Sequence, residues 1–119
     1  MEIDTETRVR LFLLSFRELF DQNAIKYEFN RKSALYFREM GWTNTHAARY
    51  VREKLRISDY CEGPSEHHFK EGTTVTVFGM QLNNVELYVK ISIDGNYCGC
   101  MSLHPSERPM NYPLRGCTE

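Results

Sequence analysis

Nothing in this chain approaches the roughly 18 consecutive apolar residues of a membrane-crossing helix, which excludes such a segment. Internal repeats, low-complexity tracts and linkers are also missing, so residues 1–119 read as one domain with a single core. No phosphate-binding glycine loop, nucleophile elbow or catalytic aspartate pair is present, and the chemistries those motifs announce drop out with them. Excess charge is lacking too: 15 Lys and Arg face 16 Asp and Glu, for a net charge of −1. Proteins that coat nucleic acid through bulk charge are usually strongly basic, so that mode is disfavoured, whereas a local basic patch is not. Cysteines are few, at positions 61, 98, 100 and 117. The opening MEIDTETRVR is acidic before it is basic, the reverse of a secretory signal. The expectation is therefore a cytoplasmic protein with reduced thiols rather than two disulfides.

The charge that is present is unevenly placed. From Met1 to Tyr60 there are 11 basic and 9 acidic residues; from Cys61 onward there are 4 and 7. Between Lys26 and Arg56 the excess sharpens to 8 basic residues against 3 glutamates. Such a run is either a solvated helix surface or a docking surface for RNA or an acidic partner.

Before Ser58 the periodicity is helical. Val9, Phe12, Leu13, Phe16, Leu19 and Phe20 recur at three- and four-residue steps, predicting a helix from about Thr5 to Gln22. Residues 25–29 alternate apolar and charged, as a short strand or extended connector does. Asn30 can cap a second helix, Arg31 to Met40, which Gly41 can end in a left-handed conformation. Thr43 or Asn44 can cap a third, to about Leu55, with Ala47, Tyr50, Val51 and Leu55 inward.

After Ser58 the pattern turns to strands. Cys61 to Ser65 reads as turn chemistry, Thr73 to Met80 and Val85 to Ile93 as strands about an Asn83–Asn84 turn, and Tyr97 to His104 as a third strand. The hairpin register decides which side chains share a face. A strict two-residue turn at Asp94–Gly95 would pair apolar positions with Cys98 and Cys100. A three-residue loop with a bulge at Gly95 instead aligns Leu87, Val89 and Ile91 with Leu103, Met101 and Gly99. The second choice keeps one face apolar and is preferred. It gathers Glu86, Tyr88, Lys90, Cys98, Cys100, Ser102 and His104 on the other face. The proline-rich tail after His104 should run extended over a surface. The expected fold is α+β, with N-terminal helices packed on a small antiparallel meander.

Two constellations could carry chemistry. The cysteines with His67, His68 and His104 supply enough ligands for a structural zinc, but their spacing is poor, and small buried thiols explain them better. The polar sheet face offers Tyr88, Lys90 and His104, with His67, His68, Lys70 and Arg108 near it in sequence. A phenol, an ammonium, an imidazole and a guanidinium suit metal-free RNA cleavage. There a 2′-OH loses a proton, the phosphate gains negative charge, and the departing 5′-oxygen takes a proton. The bland alternative is an ordinary solvated sheet face.

The order of several short motifs resembles the MqsR family of bacterial toxins. They are Asn30-Arg31-Lys32-Ser33-Ala34-Leu35 with Glu39-Met40-Gly41, Ile57-Ser58-Asp59-Tyr60, Leu87-Tyr88-Val89-Lys90-Ile91 and Met101-Ser102-Leu103-His104. The likeness spans about Leu11 to His104. It implies a RelE-like fold and a metal-independent, cofactor-free mRNA endoribonuclease held in check by a cognate antitoxin protein. Tyr88 falls on the family's catalytic tyrosine, and His104 stands where the family has its C-terminal catalytic lysine. Glu62 takes the place of another catalytic lysine, and the family's glutamine in the first strand of the meander has no equivalent here.

The expected roles follow. Tyr88 orients the phosphate or 2′-OH, His104 is general acid or base, and Lys90 or Arg108 stabilises the phosphate. Arg31, Lys32, Arg52, His67, His68 and Lys70 are the expected RNA-binding residues. Expected partners are the antitoxin and mRNA, with no membrane and no metal, and a homodimer is left open. The competing reading is a non-catalytic protein-binding module of the same fold, favoured by Glu62.

Overall fold

The computed structural model describes residues 3–67 and 70–119. Helix α1 (Thr5–Asp21) is capped by Asp4, whose carboxylate accepts from Thr7 N at 2.7 Å, and it buries Val9, Phe12, Leu13 and Phe16. Strand β1 (Ile25–Tyr27) leads to α2 (Arg31–Met40), which starts at an Asn30 cap and ends at Gly41 with φ 70°. Thr43 caps α3 (Asn44–Lys54), which buries Ala47, Ala48 and Val51. The helix limits agree with those expected from sequence to within a residue, and Asn30, Gly41 and Thr43 cap as expected.

A short 3-10 turn (Ile57–Asp59) opens the strand half: β2 (Tyr60–His67), β3 (Lys70–Leu82), β4 (Val85–Ile93) and β5 (Cys98–Pro105). The sheet order is β1-β5-β4-β3-β2. All helices pack against one face, where Phe78, Leu87, Val89, Ile91 and Leu103 meet α1 residues in a single core. No helix among the described residues is long and apolar enough to cross a membrane.

Four expectations are corrected. The sheet is mixed rather than an antiparallel meander, because β1 pairs in parallel with β5 at Ile25↔Cys98 through Tyr27↔Cys100. Cys61 to Ser65 is no turn but part of edge strand β2, whose ladder with β3 is broken by register shifts at Glu62, Ser65 and His67. Bulges of this kind admit Gly and Pro into an edge strand. The β4–β5 connection is a four-residue loop, 94–97, held by Asp94 Oδ1 accepting from Asn96 N (3.0 Å) and Tyr97 N (2.8 Å).

The last correction is the register, which runs two residues from the expected one: Tyr88 faces His104 and Lys90 faces Ser102. A two-residue slip preserves faces, so Tyr88, Lys90, Ser102 and His104 do share one. Between Lys90 and Ile91 the register then shifts, leaving Met101 as the extra residue of a bulge. Beyond it the alternation inverts. Cys98 and Cys100 therefore face the core, 1% and 2% exposed, and not the polar face. The bulge lets small apolar thiols and a polar Ser–His pair occupy even positions of one strand yet opposite sides of the sheet.

Candidate functional site

The sheet face away from the helices forms the floor of a cleft of about 840 Å³. Tyr88 and Lys90 come from β4, Ser102 and His104 from β5, each pair directly cross-strand. One wall is the start of α2, which brings Asn30, Arg31 and Lys32 to the rim. The Asn30 amide ties that wall to the floor, donating from Nδ2 to Ser102 Oγ at 3.2 Å while Oδ1 caps Ser33 N at 3.0 Å. The Ser33 hydroxyl continues the tie, donating to Asn30 Oδ1 (2.7 Å) and accepting from Leu103 N (2.8 Å). The opposite wall is tail segment 106–111, and β2 closes the far rim with Cys61 and Glu62. A smaller hollow of about 350 Å³ adjoins it, sharing Glu62, Tyr88 and Lys90 and adding His67, Val75 and Val77.

His104 is only 7% exposed, and its ring lies over that of Tyr88, centroids 5.4 Å apart and planes 20° from parallel. Its Nδ1 is 2.9 Å from the Pro105 carbonyl oxygen. A carbonyl can only accept, so Nδ1 carries the hydrogen and Nε2 of the neutral ring is left with a lone pair. Burial, with Glu62 and Cys61 adding, pushes the Tyr88 hydroxyl above its ordinary pKa, so it serves as a hydrogen-bond donor. Burial and the carboxylates of Glu86, Glu62 and Asp59 push the Cys61 thiol up to about 12, leaving no thiolate nucleophile at neutral pH.

Four cations line the cleft (Arg31, Lys32, Lys90, Arg108) against two carboxylates, Glu62 and Glu107. Lys32 and Glu107 form an ion pair with each other across the rim. The side chains of Arg31, Lys90 and Arg108 have no hydrogen-bond or ion-pair partner among the described residues, so their charge faces the cleft. A chain with a net charge of −1 thus carries a locally positive cleft.

Of the residues singled out from sequence, Tyr88, Lys90, His104, Arg108, Arg31 and Lys32 converge here, and His67 lines the adjoining hollow. Lys70 lines neither; it pairs with Glu28 at 2.6 Å. Arg52 is also elsewhere, its guanidinium forked onto Asp21 at 3.1 and 2.8 Å between α3 and α1. His68 lies outside the described residues. Sequence reasoning expected the tail to run over a surface but missed its anchor, Glu86 with Tyr112; the one local signal was an aromatic beside a proline.

The potential zinc ligands are dispersed. Cys98 and Cys100 are in the core, Cys61 is at the rim, and Cys117 donates to Glu6 at 3.3 Å. Among the described residues no three His, Cys, Asp or Glu side chains are grouped to hold a metal ion. Comparison with protein-family models, with curated proteins and with solved structures finds no match to this chain.

Proposed function

We propose that the chain is a metal-independent endoribonuclease of RelE/MqsR-like fold, the cytoplasmic toxin of a bacterial toxin–antitoxin pair. One observation carries this reading: a cross-strand Tyr88–His104 stack, with Nε2 of His104 free to accept, beside an unpartnered Lys90 in a positive cleft. These are the groups that 2′-OH attack on the neighbouring phosphate requires.

His104 Nε2 takes the 2′-OH proton while the Pro105 carbonyl holds Nδ1–H and steadies the imidazolium that forms. The Tyr88 hydroxyl donates to a non-bridging phosphate oxygen. Lys90, with Arg108 from the tail wall and Arg31 from α2, offsets the charge that builds on the phosphate. The departing 5′-oxygen is protonated by Lys90 or by solvent. The products are a 2′,3′-cyclic phosphate and a 5′-hydroxyl end.

The test is incubation of single-stranded RNA with purified protein in excess chelator, with end-group analysis of fragments. His104→Ala should slow cleavage by roughly 10²–10⁴-fold, the range for loss of a general base. Wild-type protein that leaves RNA intact, and whose induction leaves growth unchanged, rules the enzyme reading out. A second reading is a non-catalytic protein-binding module. Glu62 favours it, an exposed carboxylate on the cleft rim, unpaired among the described residues, that repels phosphate. It predicts intact RNA together with a stable complex between this chain and the product of a neighbouring gene.

A further inference from the structure

We infer that Glu86 is a positioning residue that staples the tail into the cleft wall and thereby sets where Arg108 meets the phosphate. This rests on the endoribonuclease reading of the cleft.

Glu86 sits at the start of β4, on the face that carries Tyr88 and Lys90. It grips the tail at three points. Its backbone carbonyl accepts from Ser106 N at 2.8 Å, Oε1 accepts from Met110 N at 3.1 Å, and Oε2 accepts from Tyr112 OH at 2.7 Å. These grips hold segment 106–112 against the sheet, and Arg108 lies between the first two of them. Ser106 tightens it further, its hydroxyl donating to the Arg108 carbonyl.

The Tyr112 seat is built for that ring. It lies on Gly79, where a Cβ would come within 2.8 Å of two ring carbons. Gly79 pairs with Tyr88, so the seat is beside the proposed chemistry. Arg115 covers the ring, 4.4 Å from its centroid. The sheet ladder itself stops before the tail, at Pro105. Six of the cleft-lining residues nevertheless come from it, at positions 106 to 111.

The experiment is a double-mutant cycle read by binding of an uncleavable 2′-O-methyl RNA oligonucleotide, with kcat and KM measured on the cleavable one. Arg108→Ala alone should weaken binding roughly tenfold, as loss of a charge-assisted contact does. Glu86→Ala should cost about as much, and should move kcat and KM in the same proportion as Arg108→Ala does. The double variant should be little worse than either single one. Tyr112→Phe, which removes one grip and keeps the ring, should give an intermediate loss, and hydrogen exchange should show amides 106–112 losing protection in Glu86→Ala. Additive losses, or unchanged binding and protection in Glu86→Ala, overturn the positioning role while leaving the nuclease reading intact. Wild-type protein that neither binds nor cuts RNA overturns both. In that case the exchange data still report whether Glu86 holds the tail.

Discussion

Replacing Ser33 with alanine removes one oxygen from a fully enclosed position. That oxygen accepts from Leu103 N at 2.8 Å and donates to Asn30 Oδ1 at 2.7 Å. Alanine leaves the Leu103 N–H, on a residue with no exposed surface, without an acceptor. An unsatisfied buried donor costs about 1–3 kcal/mol, and the second bond adds about 0.5–1.5 kcal/mol. The better helix propensity of alanine returns about 0.5 kcal/mol. The net loss is about 2 kcal/mol, which for a domain of this size lowers Tm by roughly 8 °C. Trp42 is the only tryptophan, packed just beyond α2 on Tyr36 and Phe37 of that helix, so its fluorescence reports urea unfolding directly. The denaturant slope should be unchanged, with the midpoint moving. Ser15→Ala, at an exposed position on α1, is the control. If Ser33→Ala loses under about 0.5 kcal/mol, no more than this control, the tie between α2 and β5 is not made in solution. Because that tie sets Arg31 and Lys32 on the cleft rim, the proposed endoribonuclease function predicts weaker RNA binding by the same variant.

Three further outcomes are expected. Thr76 of β3 is fully buried with its hydroxyl unpaired among the described residues, so isosteric Thr76→Val should raise stability by about 1 kcal/mol in the same urea assay. The Tyr97 N–H, with Asn96 N–H and Lys26 adding, holds the Asp94 carboxyl below its ordinary range. Its stabilisation is therefore full above the unfolded value near 4 and lost as pH falls through the lower folded value. Asp94→Ala should cost about 1 kcal/mol at neutral pH, and the gap to wild type should close in acid. Cys98 and Cys100, buried on the core side, should resist an aromatic disulfide reagent at pH 8 until the protein is unfolded. Rapid labelling of Cys100 in native protein would place the bulge at Met101 wrongly.

Local physics made the helical half legible. Asn30, Gly41 and Thr43 act through contacts within a few residues, so their roles follow from residue type and spacing alone. The Asn83–Asn84 turn was legible for the same reason, both residues taking positive φ at 51° and 65°. The shared face of Tyr88, Lys90 and His104 came through because strand alternation survives a two-residue slip. The inward turn of Cys98 and Cys100 did not, because a bulge is invisible to alternation and is chosen by what must fit on each side of the sheet.

Sequence alone thus determined the α+β class, the helix limits and the candidate Tyr–Lys–His face, all consequences of short-range geometry and periodicity. Tertiary structure decided the parallel β1–β5 pairing, the β2 edge strand, and the tail held by Glu86 and seated on Gly79. It also decided which basic residues matter: Arg31 and Lys32 reach the cleft, while Arg52 from the same basic segment is tied to Asp21. Those outcomes depend on residues tens of positions apart meeting in space, and no local pattern encodes such meetings. A near-neutral chain acquires a positive cleft only because folding gathers four cations around one floor and pairs others elsewhere.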